Sequence, residues 1–169
     1  MPGRAGQVQT KPGPQFAACD SIRIHIPGRG AHGSMPHAAI DPTYTAAHIV
    51  LRLQGIIGRE VNPKDFAVIS VGQLNAGTTN NIIPSHAELV LNCRFYNDDV
   101  KHKVYAAIQR VVIAECEASG IQEEPHFEYF AHGELLDNDV DAFHTVRTTF
   151  DAVFGTDSVD AEPSTVSED

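Results

Sequence analysis

The sequence predicts an α+β fold in which a four-stranded antiparallel sheet carries two helices on one face. Some segments alternate apolar and polar residues, whereas others repeat apolar residues at helical spacing. Alternation is typical of a strand with one buried face, and helical spacing is typical of a helix that packs along one stripe. These segments follow one another as strand, helix, strand, strand, helix, strand, which favours an antiparallel sheet covered on one side.

Alternation and apolar runs predict the four strands. Residues 22–26 alternate, and the strand ends at Pro27 before a glycine-rich loop. Residues 66–71 form a short apolar run, which a polar loop at 75–81 follows. Residues 87–95 alternate again, with Arg94 on the face opposite the core, and residues 126–130 complete the set.

The two helices are predicted from capping residues and apolar stripes. Asp41 caps the first helix, Pro42 takes its first position, and the helix runs to about residue 61. Asp98 or Asp99 caps the second helix, and Gly120 ends it. The predicted stripes are Ala46, Val50, Leu53 and Ile57 in the first helix, and Val100, Val104, Ala107, Val111 and Ala118 in the second.

This order corresponds to a ferredoxin-like βαββαβ sandwich over residues 19–130. Residues 1–18 are rich in proline and glycine, so we expect an extended connector there rather than part of a core. Residues 131–169 form a predicted return segment with a third, C-terminal amphipathic helix that ends at Gly155. The acidic stretch at 156–169 is expected to be frayed.

Composition excludes several classes of partner. The formal net charge of −10 disfavours binding to nucleic acid and to anionic membranes. No apolar run approaches the roughly 20 residues that a membrane span requires, and the first residues lack the apolar centre of a signal peptide. Cys19, Cys93 and Cys116 form no paired motif, so we expect buried thiols in a cytoplasmic protein.

Four polar residues are the candidates for function, because each lies in or beside a loop that we expect at one end of the sheet: His32, His37, Asn81 and Arg94. Pro36 separates the two histidines, and no acidic or cysteine cluster accompanies them, which predicts no metal site. The glycines at 28, 30 and 33 lack the following helix of a dinucleotide site. From residue types alone, the default interpretation is exposed or locally hydrogen-bonded loop histidines, a turn-forming asparagine and a solvated arginine.

Several short motifs along the chain occur together in one known family. The segment from Gly28 to His37, Gly-Arg-Gly-Ala-His-Gly-Ser-Met-Pro-His, precedes an Ile-Asp-Pro at 40–42. Later come Ala-Gly-Thr-Thr-Asn-Asn-Ile-Ile-Pro at 76–84, Ala-Glu-Leu at 87–89, and Arg94. In this order the motifs resemble the lid, or dimerisation, domain of the amidohydrolase branch of the M20 peptidase family, which includes aminoacylases, hippurate hydrolases and indole-acetyl-amino-acid hydrolases.

The resemblance implies a specific role for each candidate. His32 would reach the active site of the partner subunit and stabilise the oxyanion of the substrate carbonyl, while Asn81 and Arg94 would bind substrate. His37, Gly30 and Gly33 would shape the loop. The chain would bind no cofactor itself, whereas the intact homodimer would use two divalent metals, zinc- or manganese-like, to hydrolyse a small-molecule amide such as an N-acyl amino acid.

The resemblance further implies that residues 1–18 and 131–169 lead from and to a separate catalytic domain, and that this chain is inactive alone. We expect the homodimer to form through the sheet edge at 66–71 and a helix. An alternative is a free-standing ferredoxin-like module that binds a small carboxylate or only dimerises. The coding sequence on either side would distinguish these hypotheses.

Overall fold

The computed structural model describes residues 6–156 and 159–160 in two compact units. The larger unit comprises residues 19–132, and the smaller one combines the described residues on either side of it. In the larger unit the strands are β3 (Ala18–Pro27), β4 (Ala31–His32), β5 (Ala67–Ala76), β6 (Ile82–Ile83), β7 (His86–Phe95) and β8 (His126–Gly133). Its helices are α1 (Pro42–Arg59) and α2 (Asp98–Ala118).

The main sheet has the order β5-β7-β3-β8, which confirms the predicted four-stranded ferredoxin-like arrangement. β5 lies at one edge and pairs antiparallel with β7, from Ala67 opposite Phe95 to Ala76 opposite Ala87. A register shift interrupts this ladder between Val71 and Gln73. The predicted edge position of the second strand is therefore confirmed.

One hydrophobic core joins the sheet to both helices. Alternate residues of β3 and β7 are buried, and the helices contribute the other half of the same cluster. In α1 the buried stripe is Ala46, Ile49, Leu53 and Ile56, so the predicted Val50 and Ile57 are only partly buried. In α2 Cys116 is buried near the end, whereas the predicted Ala118 is exposed.

Capping is confirmed for α1 and wrong by one position for α2. The Asp41 side chain accepts the N–H groups of Thr43 and Tyr44, and Pro42 opens the helix as predicted. In α2 the Asn97 side chain accepts the N–H of Asp99 and of Val100, so Asp98 and Asp99 lie inside the first turn. A negative aspartate in the first turn interacts favourably with the positive end of the helix dipole, just as an aspartate cap does. The sequence pattern therefore does not show which residue is the cap.

Several strands extend beyond their predicted limits because pairing partners prolong them. β5 omits Phe66 but continues to Ala76, into the stretch predicted as a loop, and β8 continues to Gly133 instead of ending at residue 130. The glycine-rich loop and the loop at 75–81 are also less irregular than predicted. β4 and β6 pair antiparallel, with Ala31 opposite Ile83 and His32 opposite Ile82.

The smaller unit is built from short paired segments and one helix. β1 (Val8–Gln9) pairs with β10 (Val159–Asp160), and β2 (Gly13–Phe16) pairs with β9 (Leu136–Asn138). The described part of the lead-in, residues 6–18, contains two paired strands, and Gln15 and Ala17 are buried in it.

The predicted third helix is confirmed as α3 (Val140–Phe154), which Asp139 caps. Gly155 follows it with a φ of 90°. The predicted frayed tail lies largely outside the described residues. Within the described part of the chain, no helix has the length and apolar character needed to cross a membrane.

Candidate functional site

The pairing of β4 with β6 brings two of the four candidate residues together. His32 lies on β4 opposite Ile82, and Asn81 immediately precedes that partner. Gly33 N–H donates to the Asn81 carbonyl at 2.7 Å, which closes the pairing next to the histidine. Both side chains are exposed. We call the two short strands, residues 31–33 and 81–83, the His32 ribbon.

The His32 ring is oriented by its neighbour Ser34. The Ser34 backbone N–H donates to His32 Nδ1 at 3.2 Å, and the Ser34 Oγ lies 2.8 Å from the same nitrogen. A backbone N–H can only donate, so Nδ1 must be the unprotonated nitrogen of the neutral ring. The proton of the neutral imidazole therefore lies on Nε2, which leaves a hydrogen-bond donor on an exposed side chain.

Close backbone approach explains the two glycines that flank the histidine. A Cβ on Gly30 would lie 2.9 Å from the Ile83 carbonyl oxygen, and a Cβ on Gly33 would lie 3.2 Å from that of Asn81. A Cβ on Gly30 would force a backbone shift, and a Cβ on Gly33 would make a contact tighter than ordinary van der Waals distance, so both positions favour glycine. These close approaches are a physical reason for the structural role that we predict for Gly30 and Gly33.

His37 lies in a short 3₁₀ turn, Pro36–Ala38, and is exposed. The contacts that fix this turn come from Arg29, which sequence reasoning missed. Arg29 Nε donates to the Ala38 carbonyl at 2.9 Å, and the backbone groups of Arg29 and Ile40 exchange two hydrogen bonds of 2.9 Å. The loop-fixing part predicted for His37 stays a prediction.

Arg94 does not lie at the same end of the sheet as the His32 ribbon, contrary to expectation. It faces away from the core, as predicted, but it pairs with Val68 near the start of β5. The ribbon adjoins the opposite end of β7, where Gly28 N–H donates to the Ser85 carbonyl at 2.9 Å. At about 3.3 Å per residue, the eight steps from His86 to Arg94 span about 26 Å.

A second polar cluster, inside the larger unit, was not predicted. Asp20 is only 5% exposed, and Lys101 Nζ lies 2.7 Å from its Oδ2. The Tyr105 hydroxyl donates to the same carboxylate, and His132 Nδ1 bonds to Oδ1. Burial by itself raises the pKa of Asp20, but the hydrogen bonds from His132, Lys101 and Tyr105 outweigh it and hold the pKa below its ordinary value of 3.8.

The sequence carried a signal for this cluster. Asp20 has the same strand parity as Ile22, Ile24 and Ile26, so alternation alone places it on the core face, where an ionised group needs partners. Burial raises the pKa of the neighbouring Cys93 to about 12, with smaller contributions from the charges of Asp20 and Cys19. That thiol is therefore a core residue rather than a nucleophile.

The described residues offer no metal centre. Among residues 6–156 and 159–160, no three His, Cys, Asp or Glu side chains are grouped so that they could hold an ion. His32 and Asn81 lie together at one end of the sheet, and Arg94 lies at the other end.

Comparison with known proteins agrees with this architecture. Residues 20–119 match the family described as "Peptidase dimerisation domain". The chain is 36% identical over 128 residues to an N-acyl-L-amino acid amidohydrolase from Geobacillus stearothermophilus, covering 76% of this chain and 35% of that protein. It is 32% identical over 164 residues to an N-acetylcysteine deacetylase from Bacillus subtilis, covering 97% of this chain and 42% of the relative.

A solved structure extends the similarity to the fold. The chain superimposes on a Bacillus subtilis protein described as a dinuclear metal-binding peptidase of the M20 family, with a TM-score of 0.66 and 28% identity. The match covers 94% of this chain and 38% of that one, so this chain spans less than half the length of each of these three relatives. The matched family model covers more than half of the sequence, and the chain therefore belongs to the peptidase dimerisation domain family of the M20 amidohydrolases and peptidases.

Proposed function

We propose that this chain is the lid of a metal-dependent amidohydrolase, and that it supplies substrate-binding and oxyanion-stabilising residues to a second subunit. The observation that carries the proposal is the ribbon that presents the exposed His32, with Nδ1 held by Ser34 and the N–H left on Nε2, beside Asn81. Amide hydrolysis needs such a donor, because negative charge develops on the carbonyl oxygen as the amide is attacked. The substrate class that we propose is an N-acyl amino acid or a related amide.

His32 is suited to that task in its neutral form. With Nδ1 held by Ser34, Nε2–H donates to the carbonyl oxygen, and the bond strengthens as charge moves onto that oxygen. Asn81, tied to the same ribbon, offers an amide group that can contact the substrate or the intermediate.

Arg94 requires a second copy of the chain to take part in the same site. Its own His32 ribbon lies about 26 Å away along β7, too far for one small substrate to touch both. If two copies pair their β5 edges across a two-fold axis, the edges run antiparallel, and the start of one β5 lies beside the end of the other. Arg94 of one copy and the His32 ribbon of the other then approach one another. A guanidinium there would bind the substrate carboxylate through two parallel hydrogen bonds.

Two neighbouring features favour this edge as the dimer surface. β5 has one side of its backbone unpaired in the main sheet and carries the exposed Leu74. α1 packs against β5 and exposes Tyr44, His48 and Leu51 at i, i+4 and i+7 spacing, with Leu51 71% exposed. A homodimer through the sheet edge and α1 would cover both features.

The catalytic metals belong, in this proposal, to a separate domain of the intact protein. The described residues supply no ion site, so we expect two divalent ions, zinc or manganese, to be held outside the lid. Residues 1–18 and 131–169 would connect residues 19–130 to that domain. The three thiols of Cys19, Cys93 and Cys116 are free, which favours a reducing, cytoplasmic setting.

The test is a His32→Ala variant of the protein with its catalytic domain present. Loss of one oxyanion donor should lower kcat about 100- to 1000-fold while leaving KM within a few-fold. His102→Ala is the matched control, because His102 is an exposed histidine on α2, outside the His32 loop; its kcat should stay close to that of the parent. An unchanged kcat in His32→Ala would remove the histidine from the reaction and favour a module that only binds or dimerises.

A further inference from the structure

A cavity of about 590 Å³ lies on the sheet face that the helices leave uncovered. The end of β5 and its turn form one wall, and the segment from Ile82 to His86 forms the other. Gly30 closes the side toward the His32 ribbon, while His25 and Glu88 project from β3 and β7. This volume lies within the usual range for small-molecule sites.

Glu88 has an incomplete set of hydrogen-bond donors. Asn75 Nδ2 lies 3.4 Å from its Oε1, Arg23 Nε lies 3.4 Å from its Oε2, and His25 Nδ1 lies 3.7 Å from that oxygen. Charge-assisted hydrogen bonds to a carboxylate are usually about 2.7–2.9 Å long. The Glu88 side chain is 26% exposed and is one of the groups that line the cavity.

Arg23 forms its shorter ion pair with Glu128 rather than with Glu88. Its Nη1 donates to Glu128 Oε2 at 2.7 Å, and its guanidinium lies 4.8 Å from the centre of the Phe130 ring. One positive group thus stands among two carboxylates, which leaves one net negative charge here when the histidines are neutral. In a chain of net charge −10, this region attracts a cation and repels an anion.

The remaining walls suit an alkyl chain. Ala76, Ile82, Ile83 and Pro84 give the cavity an apolar lining next to the carboxylate. We propose that the cavity binds the primary ammonium group of a small alkylamine, with the ammonium on Glu88 and the alkyl chain against these residues. An ammonium carries three donors and can fill the acceptor positions that Asn75, Arg23 and His25 leave open. The proposal does not depend on the hydrolase function.

The first experiment titrates the 169-residue chain with n-butylammonium and follows its amide signals by NMR. The expected result is saturable one-site binding that shifts the signals of residues 75–78 and 82–88. The uncharged 1-butanol and the anionic butyrate have the same chain length and should bind at least about ten times more weakly, because neither can form a charge-assisted bond with Glu88. Equal shifts with 1-butanol would overturn the proposal.

Three variants test the chemistry. Glu88→Gln should weaken n-butylammonium binding about tenfold, because it replaces a charged acceptor by a neutral one. Glu117→Gln, a change of the same charge on the exposed side of α2, should leave the affinity unchanged. Arg23→Gln should strengthen binding several-fold, since it removes a competing cation, and an increase cannot result from misfolding. Unchanged affinity in both Glu88→Gln and Arg23→Gln would contradict the proposal.

Discussion

The burial of Asp20 follows from its position in the alternation of β3. It stands on the core face of β3 and is ionised there because Lys101, Tyr105 and His132 surround its carboxylate. Removing the charge leaves these donors around a weaker acceptor, and breaking a buried pair typically costs about 3–5 kcal/mol. The half-exposed His132 side chain places this cluster at the low end of that range.

We predict that Asp20→Asn lowers the free energy of unfolding by about 3 kcal/mol at pH 7. The pKa of Asp20 is lower in the folded state, so its contribution is fully present above the ordinary value of 3.8 and is lost as the pH falls through the folded-state pKa. The difference between parent and variant should therefore shrink below pH 4. Urea unfolding at pH 7 and at acid pH measures it, with the exposed Asp65→Asn as the control.

Gly30 lies where the backbone of another strand approaches closely. An added Cβ would lie 2.9 Å from the Ile83 carbonyl oxygen, so Gly30→Ala must displace the backbone of the His32 ribbon. We expect a loss of about 1–3 kcal/mol in stability. Gly58→Ala in α1 meets nothing within 4 Å and should instead stabilise the helix by about 0.5–1 kcal/mol. Thermal unfolding of both variants measures the two changes in stability. Equal destabilisation of the two variants would contradict the prediction.

Among the secondary-structure elements, the edge strand β5 is the one through which we propose that the chain dimerises. Strands with an unpaired edge invite pairing with another chain, and a lysine on that edge opposes it. We predict that Leu74→Lys converts the proposed dimer into a monomer. Ile113→Lys on α2 is the matched control, because Leu74 is 44% and Ile113 is 43% exposed. Sedimentation equilibrium distinguishes them, and a dimer that persists in Leu74→Lys would place the interface elsewhere.

At the scale of the whole molecule, the separation of Arg94 from the His32 ribbon predicts complementation between subunits. In the intact enzyme, His32→Ala and Arg94→Ala should each be nearly inactive as homodimers. A mixed dimer retains one site with both residues, so random mixing should restore about a quarter of the parent activity. Activity is measured after the two variants are unfolded and refolded together. No recovery would mean that both residues serve the site from one chain.

Local patterns of residues were enough to predict the main strands and the helix ends. Alternation in residues 22–26 and 87–95 predicts two strands, because a one-residue slip would turn every apolar side chain outward. Asp41-Pro42 and Gly120 mark helix limits, because caps depend on neighbouring backbone groups only. The order of these elements was sufficient for the ferredoxin-like sheet, and the motifs around His32 and Asn81 were sufficient for the family.

Pairing between distant segments determines which of these residues lie together. The β4–β6 pairing joins segments about fifty positions apart in the sequence. No local pattern predicts it, because a strand pair is stabilised by contacts with the distant partner strand. Strand parity predicts that Asp20 is buried, but its donors come from α2 and β8, and the distance of Arg94 from His32 follows from strand length and register. Local preferences act over a few residues, whereas a site is assembled by contacts between residues distant in sequence, which depend on how the whole chain packs.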